Sequence, residues 1–500
     1  MDTLCIAVVT AIAGALRLIR VTVPNGLIFD ELFYAGDACL YVNTESFCAA
    51  EVTYSEEVGE ITIVHPPLGK WLIAAGIRAF GFNEFGWRIA PVIAGTATVV
   101  LLYLLARRIL RSTIGATVAS SVLAIDLLHL TMSRIATLDV FTTLFTVAAF
   151  LFWAYDRDSL QMEDRRGKTR LLQCPWRLAA GAAAGAAIAT KWSGAFAYFG
   201  LAVLTLGTAI RSRRARGLRG AIAGTIREEG GSLLLSLLVV PFLVYAASYV
   251  GRIDNPLIAA PWDPKSWVRG FLGAQRFILD FHLSLEAVQP YQSPAWSWPL
   301  LKRPFLIFLD VSGNTYREIL IVGNPLVWWS GLVSMAFVGL AWWRERGTGA
   351  WPEMLIVVGF LATYAVWVPL TGARSFVFLY YFIAAVPFLA LALGYAAVRL
   401  VSSRWGRVGI GVFLAGSVGA FVFFYPILTA LPLSKDAWRS RILFEDCNRI
   451  YGVFYPTDPL ADERPSTRTN AVNGRVDSGT ALLIEGLPAY APPPDGWCWI

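Results

Sequence analysis

Charge is scarce in this chain. Only 15% of its 500 residues are Asp, Glu, Lys or Arg, where soluble globular domains carry about a quarter. That shortage argues against an ordinary water-soluble protein. Histidine is scarcer still: the three are His65, His129 and His282, far apart in sequence. The six cysteines form no CxxC pair and no Cys/His cluster with zinc-ligand spacing, which argues against a structural zinc site. Low-complexity linkers and clear internal repeats are also missing, so nothing divides the chain into an array or a string of modules.

What fills the space is apolar. Hydrophobic residues make up 56% and aromatics 13% of the sequence. A helix needs about 20 apolar residues to cross the hydrocarbon core. Eleven such segments are expected, at 3–21, 87–106, 114–132, 138–155, 178–190, 193–210, 232–250, 319–342, 353–370, 376–398 and 408–427. The fifth is short and rich in Ala and Gly, so its ends and independence stay open. The reading is an all-α polytopic membrane protein, with a membrane domain over 1–427 and a polar, Pro-rich tail over 428–500 whose pieces, such as 480–484, are too short to name a fold.

The formal net charge of +7 does not indicate a nucleic-acid partner, because the basic residues gather in alternate loops. Arg107, Arg108 and Arg111 follow the second span, Arg165, Arg166, Lys168 and Arg170 the fourth, Arg211, Arg213 and Arg214 the sixth, Arg344 the eighth, and Arg404 and Arg407 the tenth. The positive-inside rule makes that face cytoplasmic. The N-terminus is then cytoplasmic, and the loop 22–86, the segment 251–318 and the tail are extracytoplasmic. The first apolar segment lacks a basic front and carries Arg17 and Arg20 at its far end, so it is expected to be a retained span. Cys39 with Cys48, and Cys447 with Cys498, fall outside and are candidate disulfides, the alternative being four free thiols. Cys5 and Cys174 are expected reduced.

Within the first external loop, Asp30 and Glu31 stand just past the first span. From Val21 to Gly69 there are eight Asp or Glu and no Lys or Arg. The pair either marks the membrane boundary or does chemistry there. The loop ends in His65-Pro66-Pro67-Leu68-Gly69-Lys70-Trp71, whose prolines break the chain before an amphipathic helix over 68–82. That helix lies either in the interface or against the protein. The aromatics of 251–318, among them Trp262, Trp267, Tyr291, Trp296 and Trp298, act either as interfacial anchors or as stacking platforms for sugar or polypeptide.

With Gly86-Trp87-Arg88, Ser133-Arg134-Ile135-Ala136-Thr137-Leu138-Asp139, Lys191-Trp192-Ser193-Gly194 and Gly323-Asn324-Pro325-Leu326-Val327-Trp328-Trp329, the DE pair and HPPLGKW give a pattern spanning most of the chain. It resembles the protein O-mannosyltransferase family in its actinobacterial form. The resemblance implies a GT-C type glycosyltransferase that moves mannose, with inversion, from polyprenyl-phosphate-mannose to Ser or Thr of exported proteins at the outer face, in reach of the secretion channel. It makes Asp30 the catalytic base, with Glu31 orienting acceptor or sugar. It marks His65, Lys70, Arg88, Arg134, Asp139, Lys191, Asn324 and Arg374 as candidates for substrate binding.

Arg and Lys suit phosphate, one as a planar fork and the other as a point charge. For several of these residues a structural reading stands beside that one. Arg134 and Asp139 are five apart and can pair with each other, His65 can cap the helix after it, and Pro325 can set a helix start. Arg374, Tyr380 and Tyr381 occupy the region where eukaryotic members carry a His-Tyr motif, absent here, and 251–318 is too short for the MIR domain those members insert. No metal or other cofactor is expected, since a lipid phosphate is already a good leaving group and the external loops lack a DxD motif. Two rivals remain: a lipid or cell-wall glycan transferase using the same donor type, and a transporter, against which the absence of inverted repeats and broken midplane helices counts.

Overall fold

The computed structural model describes residues 1–42, 64–163, 174–215, 217, 220–250, 264–284, 291–345, 350–372 and 377–442. Its helices follow the apolar runs. In chain order they are α1 (Asp2–Leu18), α2 (Glu31–Val42), α3 (Leu68–Phe80), α4 (Glu84–Leu110), α5 (Thr113–Ala124), α6 (Leu127–Met132), α7 (Asp139–Glu163), α8 (Pro175–Thr190) and α9 (Gly194–Ala215). After these come α10 (Ala221–Leu234), joined through a wider π-helical turn to α11 (Val240–Ala247), then α12 (Pro264–Ser284), α13 (Pro325–Glu345), α14 (Trp351–Phe360), α15 (Trp367–Leu370), α16 (Val386–Leu400), α17 (Arg404–Phe424) and α18 (Lys435–Arg439).

Among the described residues, six stretches are long and apolar enough to cross a membrane: Glu84–Leu110, Gly194–Arg214, Ala221–Ala247, Pro325–Glu345, Trp351–Leu370 and Arg404–Leu428. The other expected spans also fall on helices. The one at 114–132 is broken, because Asp126 leaves the helix to cap α6, accepting a hydrogen bond from His129 N at 2.9 Å. The short fifth segment is a helix in its own right. Its small residues let it approach the α10–α11 rod closely: a Cβ on Gly181 would strike the Ser236 carbonyl, and one on Gly185 would meet the Pro241 carbonyl at 2.6 Å. α16, flanked by α5 and α13, is apolar and buried along most of its length.

The expected amphipathic helix is α3, two residues shorter than read because Gly81 turns the chain out at φ 87°. One other boundary differs. The eighth segment does not begin at 319, since Thr315–Ile321 is a strand and the helix starts only at Pro325. That strand, β2, pairs antiparallel with β1 (Phe305–Ser312) from Phe305↔Ile321 to Ser312↔Thr315 across a turn at Gly313, φ 58°. A short β3 (Leu433–Ser434) adds to its other edge. Glu318 is buried and accepts a hydrogen bond from Trp438 Nε1 at 2.8 Å, and Trp438 stacks on Tyr316. The start of the expected tail is therefore docked on this sheet. Cys174 is buried and Cys5 half-buried, and neither is in a disulfide. Cys39 is disulfide-bonded, and Cys48, Cys447, Cys498 and segment 480–484 lie outside the described residues.

Gly181→Ala is expected to lower stability by about 1–3 kcal/mol through overpacking. Gly411→Ala, which meets nothing within 4 Å, leaves it unchanged. Melting temperatures of the two variants in detergent check the difference.

Candidate active site

The loop from α1 to α2 delivers the acidic pair. Phe29 takes a left-handed φ of 51°, rare for a bulky residue. Its ring is held edge-on by Phe305 at 5.0 Å and Tyr380 at 5.8 Å. That turn sends the next two side chains into different surroundings.

Glu31 is fully buried. Its Oε1 accepts from Arg88 Nε at 2.8 Å and Ala136 N at 2.9 Å, and its Oε2 accepts from Arg88 Nη2 at 2.8 Å and Ile28 N at 3.1 Å. Arg88 spends its remaining donors on the carbonyls of Val21 (3.1 Å), Pro24 (2.8 Å) and Gly26 (3.0 Å). A guanidinium has five N–H donors, and all five are engaged. Arg88 thus has none left for a phosphate, and Glu31 has no face left for acceptor or sugar. The expectation that they touch substrate gives way to a buried clamp.

Arg134 does not pair with Asp139. Its Nη1 donates to the carbonyls of Leu16 (3.0 Å), Arg17 (2.9 Å) and Ile19 (2.6 Å), and its Nη2 to that of Arg20 (3.0 Å). It caps the orphan carbonyls at the end of α1, where a cation also meets the negative end of the helix dipole. Asn324 is likewise structural: its Oδ1 accepts from Leu326 N and Val327 N to cap α13, and its Nδ2 donates to Ser417 O at 3.0 Å. Lys70 forms an ion pair with Asp37 at 2.7 Å, both buried, which fastens α3 to α2. Arg374 lies outside the described residues.

Asp30 faces a different set of groups. It is partly exposed, accepts a hydrogen bond from the Tyr34 hydroxyl, and feels both Lys191 and Asp139. Burial pushes its carboxyl up to about 7; Asp139 adds to that, while Lys191 and Tyr34 pull it down. Lys191 Nζ donates to both Asp139 oxygens, at 2.9 and 3.0 Å, and stands 4.7 Å over the Tyr381 ring. Tyr381 in turn stacks on Trp367. Beside this pair a recess is lined by Thr142, Thr146, Ser193, Thr363 and Trp367. His65 lies beside Tyr34, its ring centroid 6.0 Å from that of Tyr34 and 5.4 Å from that of His282.

The structure therefore gathers Asp30, Asp139, Lys191 and His65, and sets Glu31, Arg88, Arg134, Asn324 and Lys70 to work as braces. Tyr34 was missed in the sequence, though its i+4 spacing from Asp30 on the first turn of α2 is a signal. The arrangement offers a carboxylate of raised pKa opposite a cation, suited to removing a proton from one group while an anion departs from another.

Two family models match: dolichyl-phosphate-mannose-protein mannosyltransferase over residues 7–252, and the C-terminal four-TMM region of protein-O-mannosyltransferase over 267–447. The polyprenol-phosphate-mannose–protein mannosyltransferase of Mycolicibacterium smegmatis is 29% identical over 483 residues, covering 87% of this chain and 91% of its own. That of Corynebacterium glutamicum is 30% identical over 388 residues, covering 69% and 71%. The S. cerevisiae protein O-mannosyltransferase Pmt1-Pmt2 complex bound to the sugar donor is similar in fold, with a TM-score of 0.68 at 16% identity over 88% of this chain and 91% of the matched one. ArnT from Cupriavidus metallidurans gives 0.51 at 17% over 84% and 64%. The fold is that of the GT-C glycosyltransferases.

Arg88→Ala strands the Glu31 carboxylate in a buried site and is expected to cost about 3–5 kcal/mol. The check is thermal unfolding of purified protein. A direct phosphate ligand would instead lose turnover with its melting temperature unchanged.

Proposed function

Because the chain belongs to the protein O-mannosyltransferase family, we propose that it transfers mannose from polyprenyl-phosphate-mannose to Ser or Thr hydroxyls of proteins, with Asp30 as general base. The observation that carries this reading is the placement of Asp30 beside Tyr34 and the Asp139–Lys191 pair, partly open where its neighbour Glu31 is sealed.

The acceptor oxygen attacks the anomeric carbon from the face opposite the phosphate and forms the new C–O bond. Its proton goes to Asp30. The bond from the anomeric carbon to the phosphate oxygen breaks, and polyprenyl phosphate leaves with the electron pair. A β-linked donor gives an α-linked product. Of the three N–H donors on Lys191, two are held by Asp139, and the third is available to the departing phosphate. Tyr381, under the ammonium, helps fix its position. The hydroxyl-lined recess beside the pair suits the sugar's own hydroxyls. No step needs a metal ion, because the leaving group is already a stabilised phosphate.

We place the reaction on the extracytoplasmic face. The clustering of Arg and Lys in alternate loops supports that orientation. An exported acceptor, still extended and near the secretion channel, suits a site at the membrane edge.

The test is transfer of radiolabelled mannose from polyprenyl-phosphate-mannose to a Ser/Thr-rich peptide. Asp30→Asn is expected to lose about 10²–10⁴-fold of the rate; a mutant that transfers normally removes Asp30 from the role. For the wild type, kcat/KM is expected to climb with pH as Asp30 loses its proton and to level off above about 7. A carboxylate of ordinary pKa, about 3.9, would leave the profile flat across that range. Transfer is also expected to survive excess EDTA.

A further inference from the structure

Helix α12 carries apolar residues on two sides. On one, Phe271, Ala274 and Ile278 are buried, packed with Trp267 against Tyr245 and Tyr249 of α11, Trp71 of α3 and Trp192. On the other, Val268, Leu272, Leu279 and Leu283 are 47%, 60%, 47% and 75% exposed. At about 100° per residue these four fall within an arc of roughly 60°, well away from the buried set. Arg269, Arg276 and Asp280 lie along the edge of that stripe and are exposed, with Arg276 and Asp280 paired at 3.6 Å.

We propose that α12 lies in the membrane interface on the side of the active site, its Val268, Leu272, Leu279 and Leu283 stripe immersed among the acyl chains of that leaflet. Three observations choose lipid as the occupant. The preceding stretch Ala221–Ala247 is apolar and long enough to cross a membrane. Its exposed Phe242 and Leu243, with Val250 just beyond it, carry an apolar surface beside α12, where the Phe242 ring meets that of Phe271 edge-on at 6.4 Å. The bordering arginines have the long stems and charged heads that reach lipid phosphates while their stems cover apolar surface.

The helix is also fastened to the site. Trp192, the residue after Lys191, donates from Nε1 to the Tyr245 hydroxyl at 2.9 Å, and Tyr245 donates to Gln275 on α12. At its far end, His282 Nε2 donates to the carbonyl of Val64, next to His65, at 3.1 Å. The depth at which α12 rests therefore sets the height of Lys191 and His65 over the bilayer surface, where a lipid-linked phosphate arrives.

Site-directed spin labelling tests this. Leu272→Cys, Leu279→Cys and Arg276→Cys, one at a time in a background with Cys5, Cys174, Cys447 and Cys498 replaced by Ser and the disulfide of Cys39 kept, are labelled with a nitroxide in vesicles of phosphatidylcholine and phosphatidylglycerol. Collisions with oxygen, which concentrates in hydrocarbon, are compared with those of a water-soluble nickel chelate. The ratio of oxygen to nickel accessibility is expected to be several-fold higher at 272 and 279 than at 276. Equal nickel access at all three places the stripe in water, and low access to both reagents at 272 and 279 means protein covers it; either result overturns the proposal. All three positions are on the exposed side of the helix, so the labels do not disturb packing.

Discussion

A single buried ion pair organises the catalytic end of this molecule. Glu31 and Arg88 are both removed from water, which costs several kcal/mol per ion unless every remaining lone pair and proton finds a partner. Here they do. Seven hydrogen bonds converge on the pair, drawing in the loop after α1 through Val21, Pro24, Gly26 and Ile28, α4 through Arg88, and the start of the SRIATLD motif's turn through Ala136. Three segments far apart in sequence are thereby fixed relative to one another. Arg134 repeats the logic one step away, holding the carbonyl end of α1 so that the loop begins from a set point.

That frame explains how adjacent carboxylates come to do different work. Glu31 is fully neutralised by its clamp. Asp30, one residue earlier and on the other side of a left-handed turn at Phe29, keeps an opening and is partly desolvated without a cation of its own, since Lys191 is already committed to Asp139. The consequence is a carboxylate whose proton affinity sits near neutrality, the range that the proposed role of general base calls for. Burial of the first carboxylate positions the second.

Much of the helical frame was legible in the sequence, because apolar runs of span length have few alternative structures in a chain so poor in charge. The amphipathic helix after HPP was legible for the same reason, with Gly81 deciding its end. The strand pair at 305–321 was not: its second strand, Thr315–Ile321, ends in Glu-Ile-Leu-Ile and runs into the apolar helix that follows, and hydropathy cannot separate a buried strand from the start of a span. Asp30, Asp139 and Lys191, which the structure brings together, each lie in a motif that the sequence singles out. The division of labour among the motif residues was not legible, since whether an Arg meets a phosphate or a backbone carbonyl depends on the path of the chain between motifs. Arg88, Arg134 and Lys70 have the composition of an anion site, and their partners turned out to be Glu31, the end of α1 and Asp37. Arg134 and Asp139 have a spacing at which they can pair, yet each found another partner.

The account stands on the separation of Asp30 from Glu31. Its most direct measurement is melting temperature and mannosyl transfer, taken side by side on purified Asp30→Asn and Glu31→Gln. The account predicts that Asp30→Asn melts like the wild type and does not transfer, whereas Glu31→Gln melts several degrees lower. A Glu31→Gln protein that is as stable as the wild type yet inactive would contradict it, because Glu31 would then be acting on substrate and not on the fold.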